Sequence, residues 1–172
     1  MSEKEKQVPH DAVDHPDLYE ACRKDDHELA AQLIEKAGEG GRDLASYWGH
    51  VEGEGRKLPI HEACEAGSRK VVDVLLEHLH PEAVNAVAEE ELMTPLHYAC
   101  RSGDHDTAWE VMLRLHEGMI GPDALQQEGG VRETVSEEGD EERWMLGITP
   151  VHFAFISGND KLLQMIMHWQ LG

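Results

Sequence analysis

The 172 residues carry 35 Asp plus Glu against 15 Lys plus Arg, a formal net charge of −20 with histidine neutral. Nothing in that balance offers a basic footprint for nucleic-acid phosphates or anionic lipid. Aromatic residues make up only 5%, yet 40% are apolar and fall in periodic clusters, which excludes wholesale disorder in favour of one domain or a short repeat array.

The chain opens on the charged run Met1-Ser2-Glu3-Lys4-Glu5-Lys6 with no apolar stretch behind it, so no signal peptide is expected and residues 1–15 read as a flexible N-terminus. No apolar run approaches the roughly 18–20 residues of a membrane span. Cys22, Cys64 and Cys100 are too few and too evenly spread for a disulfide framework. The expected location is intracellular, cytoplasmic or nuclear.

From residue 16 a helical pattern recurs. Asp17-Leu18-Tyr19-Glu20-Ala21-Cys22-Arg23-Lys24-Asp25, followed by Leu29, Ala30, Leu33 and Ile34, marks a first helix pair over about 16–36. Residues 37–57 hold six glycines with Tyr47 and Trp48, and read mostly as an extended loop or hairpin finger with the two aromatics packed back on a helix. Leu58-Pro59-Ile60-His61-Glu62-Ala63-Cys64-Glu65-Ala66-Gly67 opens a second pair over 58–80, completed by Val71, Val72, Val74, Leu75 and Leu76. Thr94-Pro95-Leu96-His97-Tyr98-Ala99-Cys100-Arg101-Ser102-Gly103 opens a third over 94–117. Between Gly121 and Leu146 lies an excursion with eight acids against Arg132 and Arg143, whose Gly-rich acidic centre predicts disorder or a mobile hairpin. Thr149-Pro150-Val151-His152-Phe153-Ala154-Phe155-Ile156-Ser157-Gly158 opens the fourth pair over 149–171.

The physics of the repeated segment is local. Thr is a good N-cap, and Pro at the next position loses nothing because its missing N–H would be unpaired anyway. Glycine about eight residues on suits a left-handed turn that ends a short helix, a place that Asp25 fills less comfortably. Each helix pair is too small to fold alone, so neighbours must stack into one continuous core.

Thr94-Pro95-Leu96-His97, with Thr149-Pro150-Val151-His152 differing by one residue, resembles the signature of the ankyrin repeat family. The resemblance runs from about Asp17 to Trp169. It implies an all-α solenoid of four helix-turn-helix units with loop or hairpin fingers and two long inter-unit excursions, 37–57 and 121–146. In that family the signature histidine bonds to the Thr hydroxyl and to backbone between repeats, so His61, His97 and His152 are structural; His61 must bond differently because Leu58 replaces Thr. The cysteines are then small buried hydrophobes. His78 and His80 lie at i and i+2, on different sides of a helix, which is no metal hook. Ser46 and His50 lack a nucleophile elbow. Catalytic residues, metals and cofactors are not expected.

Ankyrin units bind proteins through fingers and the outward side of the first helix. Carried over by motif position, the candidate protein-binding residues are Tyr98, Arg101, Phe153, Ile156, Glu62 and Glu65. The implied function is a non-catalytic adaptor, inhibitor or escort of a protein partner, with a basic partner suggested by charge, or else a regulatory domain of a larger enzyme or effector. The last helix (Leu162, Leu163, Met165, Ile166, Met167, Trp169, Leu171) is apolar on more than one stripe. Part of Met165, Met167, Trp169 and Leu171 is therefore expected to be covered by a second copy of the chain (a dimer through this helix), a partner or the acidic excursion. The alternative is that Trp169 tucks back on the third unit.

Overall fold

The computed structural model describes residues 15–51, 55–114, 128–134 and 142–171; the proposed flexible N-terminus lies outside them except for His15. Four helix pairs follow one another: α1 (Pro16–Lys24) with α2 (His27–Lys36), α4 (Pro59–Glu65) with α5 (Arg69–His78), α6 (Pro95–Ser102) with α7 (His105–Arg114), and α8 (Pro150–Ser157) with α9 (Asp160–Leu171). The first helices pack side by side in chain order and so do most of the second helices, giving two layers with the core between them.

The same local devices recur in every unit. The first helix ends on a left-handed residue, Asp25 (φ 54°), Gly67 (67°), Gly103 (76°) or Gly158 (66°). Asp25 adopts that conformation and its Oδ1 accepts from Val71 N at 3.3 Å, a bond to the next unit that glycine cannot make. The following residue starts the second helix. Asp26, Asp104 and Asn159 cap it in three units, accepting from the backbone N–H of Leu29, Thr107 and Leu162, while Ser68 holds the position in unit two without a side-chain cap bond. Apolar residues at helical spacing, such as Val71, Val72, Leu75 and Leu76 in α5, then fall on the buried side.

The signature histidines join the units. Thr94 N–H donates to His97 Nδ1 at 3.1 Å, and His97 Nε2 lies 3.1 Å from the Ile148 carbonyl, just before the next unit. A carbonyl can only accept, so the ring is the neutral tautomer with its proton on Nε2. His61 keeps the backbone half of the arrangement: Leu58 N–H donates to Nδ1 at 2.9 Å and Nε2–H donates to Ala86 O at 2.8 Å. Lost with Leu58 are the hydroxyl's two contacts in unit three, 2.7 Å between Thr94 Oγ1 and His97 Nδ1 and the cap bond that Thr94 Oγ1 accepts from His97 N–H at 3.4 Å.

In unit one Tyr19 holds the histidine position. Its hydroxyl donates to Lys57 O at 2.7 Å, again the carbonyl just before the next unit, and accepts from Gly49 N at 2.9 Å. A longer side chain reaches the same acceptor. Tyr19→Phe removes the hydroxyl that bonds both that carbonyl and that amide, and His97→Ala removes the ring that bonds Thr94 N–H and Ile148 O at the next junction but one. Each is expected to cost about 1–3 kcal/mol in urea denaturation. His152→Ala, at an exposed ring, should cost several-fold less.

Residues 37–57 are more ordered than the loop expected. After a short 3-10 turn (Gly38–Gly40), α3 (Gly41–Ala45) packs between α2 and α5. A Cβ at Gly41 would sit 2.7 Å from Ile34 O, so glycine permits the close approach. The hairpin finger follows as β1 (Gly49–Val51) antiparallel to β2 (Gly55–Lys57). Tyr47 stacks edge-on against His15 at 5.1 Å, and Trp48 lies 6.0 Å from the His61 ring.

Within the acidic excursion, β3 (Gly129–Thr134) pairs antiparallel with β4 (Glu142–Ile148), so its described parts form a hairpin before unit four. Residues 121–127 and 135–141, with much of the acidic centre, lie outside the description. So do residues 115–117, the expected end of unit three. In α9, Trp169 meets Trp109 of α7 edge-on at 6.1 Å, which is the tuck-back onto unit three. Met165 is half-buried and Met167 exposed, while the side chain of Leu171 is outside the described set.

Candidate protein-interaction surfaces

The residue before each left-handed turn by two places lies on one side of the first-helix row: Arg23, Glu65, Arg101 and Ile156. Across the first three units this row is spent on internal ion pairs. Arg23 Nε donates to Glu62 Oε1 at 2.5 Å. Arg101 donates through Nη2 to Glu65 and through Nη1 to Glu91 at 3.0 Å. Lys57, fully buried at the end of β2, places Nζ 2.9 Å from Glu65 Oε2 and 4.0 Å from Glu91.

Tyr98 sits beneath this cluster and not on a surface. Its ring lies 4.6 Å from Lys57 Nζ and 4.9 Å from the Arg101 guanidinium carbon, and its hydroxyl donates to Glu91 Oε2 at 2.6 Å. Burial, then the Glu91 carboxylate, raises its phenol, which stays neutral. Burial also raises the Glu91 carboxyl, but the bonds from Tyr98 and Arg101 and the charge of Lys57 outweigh it and hold Glu91 below its ordinary value. Two cations and two carboxylates thus compensate each other around one phenol.

This geometry corrects the candidate set drawn from motif positions. Tyr98, Glu62 and Phe153 are buried: Tyr98 by Lys57 and Arg101, Glu62 with its carboxylate on Arg23, and Phe153 against the His97 ring at 6.3 Å. The cover over Tyr98 comes from the first finger, from Arg101 and from Glu91. Arg101 and Glu65 are partly exposed but tied to each other. Ile156 is open to solvent.

The far side of unit four is different. Aligned on the left-handed residues, Cys22, Cys64, Cys100 and Phe155 are equivalent, and so are Ile34, Leu76, Met112 and Met167. The first three of each set are buried by the next unit. Phe155 is 74% exposed, Ile156 72% and Met167 60%. His152 follows the same rule: its Nδ1 accepts from Thr149 N at 3.0 Å, yet the ring is exposed where His61 and His97 reach a carbonyl of the following unit. Sequence reasoning missed Phe155, although the signal was present, because a bulky residue stands where three units have Cys.

Burial raises the thiols of all three free cysteines, that of Cys100 to about 12. Among the described residues no group of three or more His, Cys, Asp or Glu is arranged to hold a metal ion, and no helix is long and apolar enough to cross a membrane.

A family model of ankyrin repeats (three copies) matches residues 18–119 and 60–170. No curated protein sequence matches the chain. Among solved structures, the human ASB11 ankyrin repeat domain is similar at a TM-score of 0.57 and 19% identity, over 88% of this chain and 52% of that one. At that identity the likeness concerns the fold alone, and the chain spans about half the length of that domain.

Proposed function

Since the chain belongs to the ankyrin repeat family, whose members are generally protein-interaction modules, we propose that it is a non-catalytic adaptor, inhibitor or escort of a basic protein. The observation that carries this reading is the disposition of charge. The chain is net −20, and several of its few cations are already neutralised at home: Lys57 and Arg101 inside the cluster, Arg23 on Glu62, Lys24 on Glu20, Arg69 on Glu110. Carboxylates such as Glu28, Glu35, Glu77, Glu82 and Glu89 are exposed. The field reaching a partner is therefore acidic, which accelerates encounter with a basic surface more than it adds affinity. Buried neutral histidines and unreactive thiols favour binding over catalysis, and free cysteines fit a cytoplasmic or nuclear setting.

The test is recovery of bound proteins from a lysate at low and at high salt, with the basic proteins recovered then purified and titrated individually. The reading expects a basic protein whose association rate falls steeply as salt rises. Recovery only of acidic or neutral proteins, insensitive to salt, would overturn it.

A further inference from the structure

We infer that the open side of unit four is a self-association face, on which two copies of the chain dock through α8 and α9 about a two-fold axis. At the three junctions inside the chain, the positions equivalent to His152, Phe155 and Met167 are buried by a following unit; on unit four they are exposed together. That surface is built to be covered, and the occupant can be chosen on two grounds.

The first is shape. Cys22, Cys64 and Cys100 are small enough to let the next first helix close down, whereas Phe155 holds an incoming helix away. A regular unit does not fit this face as it fits the others. A two-fold partner does not need to, because Phe155 and Ile156 of each copy can settle beside, and not beneath, those of the other.

The second is charge. Residues 150–171 contain one acid, Asp160, and one base, Lys161, in a chain of net charge −20. A basic partner finds no row of carboxylates here to pair with. Two copies meeting here bury no unpaired charge at the centre, and their acidic first units point away from each other. Two copies meeting through Glu28, Glu35, Glu77, Glu82 or Glu89 would bring exposed carboxylates of like sign together. The inference is independent of the basic-partner reading, which concerns the acidic surface.

Sedimentation equilibrium of the full chain over a wide concentration range tests it. The expected result is a monomer–dimer equilibrium that tightens as salt rises, because salt screens repulsion between copies of like charge. Phe155→Glu and Met167→Glu should each weaken the dimer by more than about tenfold, while helical content, and the thermal midpoint at concentrations where the parent too is monomeric, stay unchanged because both side chains are exposed. Phe155→Ala, which adds no charge, should weaken it in the same direction. A chain monomeric at every concentration, an open-ended series of larger species, or a dimer indifferent to both glutamates would overturn the inference. Retained salt-sensitive binding of a basic protein by Phe155→Glu would leave the proposed function standing apart from this outcome.

Discussion

Glu91→Ala is expected to cost about 3 kcal/mol of stability, more than a surface ion pair is worth, because its loss leaves buried charge uncompensated. The carboxylate accepts from the Tyr98 hydroxyl and from Arg101, and lies 4.0 Å from Lys57 Nζ. Without it, Tyr98 has a buried hydroxyl with no such acceptor, and Lys57 and Arg101 share the single carboxylate of Glu65. Urea denaturation should show a lower midpoint with an unchanged slope, since the surface exposed on unfolding is the same. The double variant Glu91→Ala with Arg101→Met restores one cation to one anion and should recover part of the loss. A single-variant cost below about 0.5 kcal/mol would mean that the cluster is hydrated and behaves as an ordinary surface pair.

That cluster also marks the limit of reading a repeat from its motif. The starts of the first helices and the turns that end them were legible because Thr-Pro and the left-handed residue act within one turn of chain, and each position's chemistry is local. So were the buried cysteines and the hydrogen-bonding role of the histidines. Which side chains remain exposed on the first-helix row is a tertiary question. Tyr98 is at a position that faces outward in an isolated unit, and it becomes core where β2 delivers Lys57 over its ring, beside Arg101 and the His61 ring. Nothing in residues 94–103 announces a lysine from forty residues earlier in the chain.

Two other misses have different causes. Helix α3 was hidden by Gly38, Gly40 and Gly41, which read as a loop; one of them is there because the helix start touches the Ile34 carbonyl. Tyr19 was passed over because the signature names histidine, although the physical requirement is only a polar hydrogen that reaches the next unit's carbonyl. Reading that requirement, and not the residue type, would have identified Tyr19 as unit one's counterpart of the signature histidine. The terminal face was half legible. The excess of apolar residues in α9 was plain, but Trp169 satisfies itself on Trp109, and the open surface centres on Phe155 and Ile156 of α8 instead.

Acidification should destabilise the protein first through His61. Burial, helped by the nearby Lys57 charge, pulls its imidazole down to about 4, against the opposing pull of the Ala86 carbonyl. In the unfolded chain the same ring titrates near 6.5. Between those values the unfolded chain binds a proton that the native protein refuses, so stability falls as pH falls. The loss begins as pH drops through about 6.5, amounts to about 3 kcal/mol in total, and levels off below about 4, where the native ring is protonated too. Geometry gives the same sign, because a proton on Nδ1 displaces the Leu58 N–H that donates to it. Glu91 works in a lower window: its carboxyl is held below the ordinary 4.5, so its contribution is present above that value and is lost as pH falls beneath it. The two are separated by measuring urea denaturation between about pH 7.5 and about pH 4.5, above the range in which Glu91 is protonated. His61→Gln keeps a donor for Ala86 O but cannot titrate. It should start less stable than the parent at neutral pH and lose less on the way down, so that the two curves converge. Parallel curves across that interval would show that the His61 ring takes up its proton as readily in the native protein as in the unfolded chain.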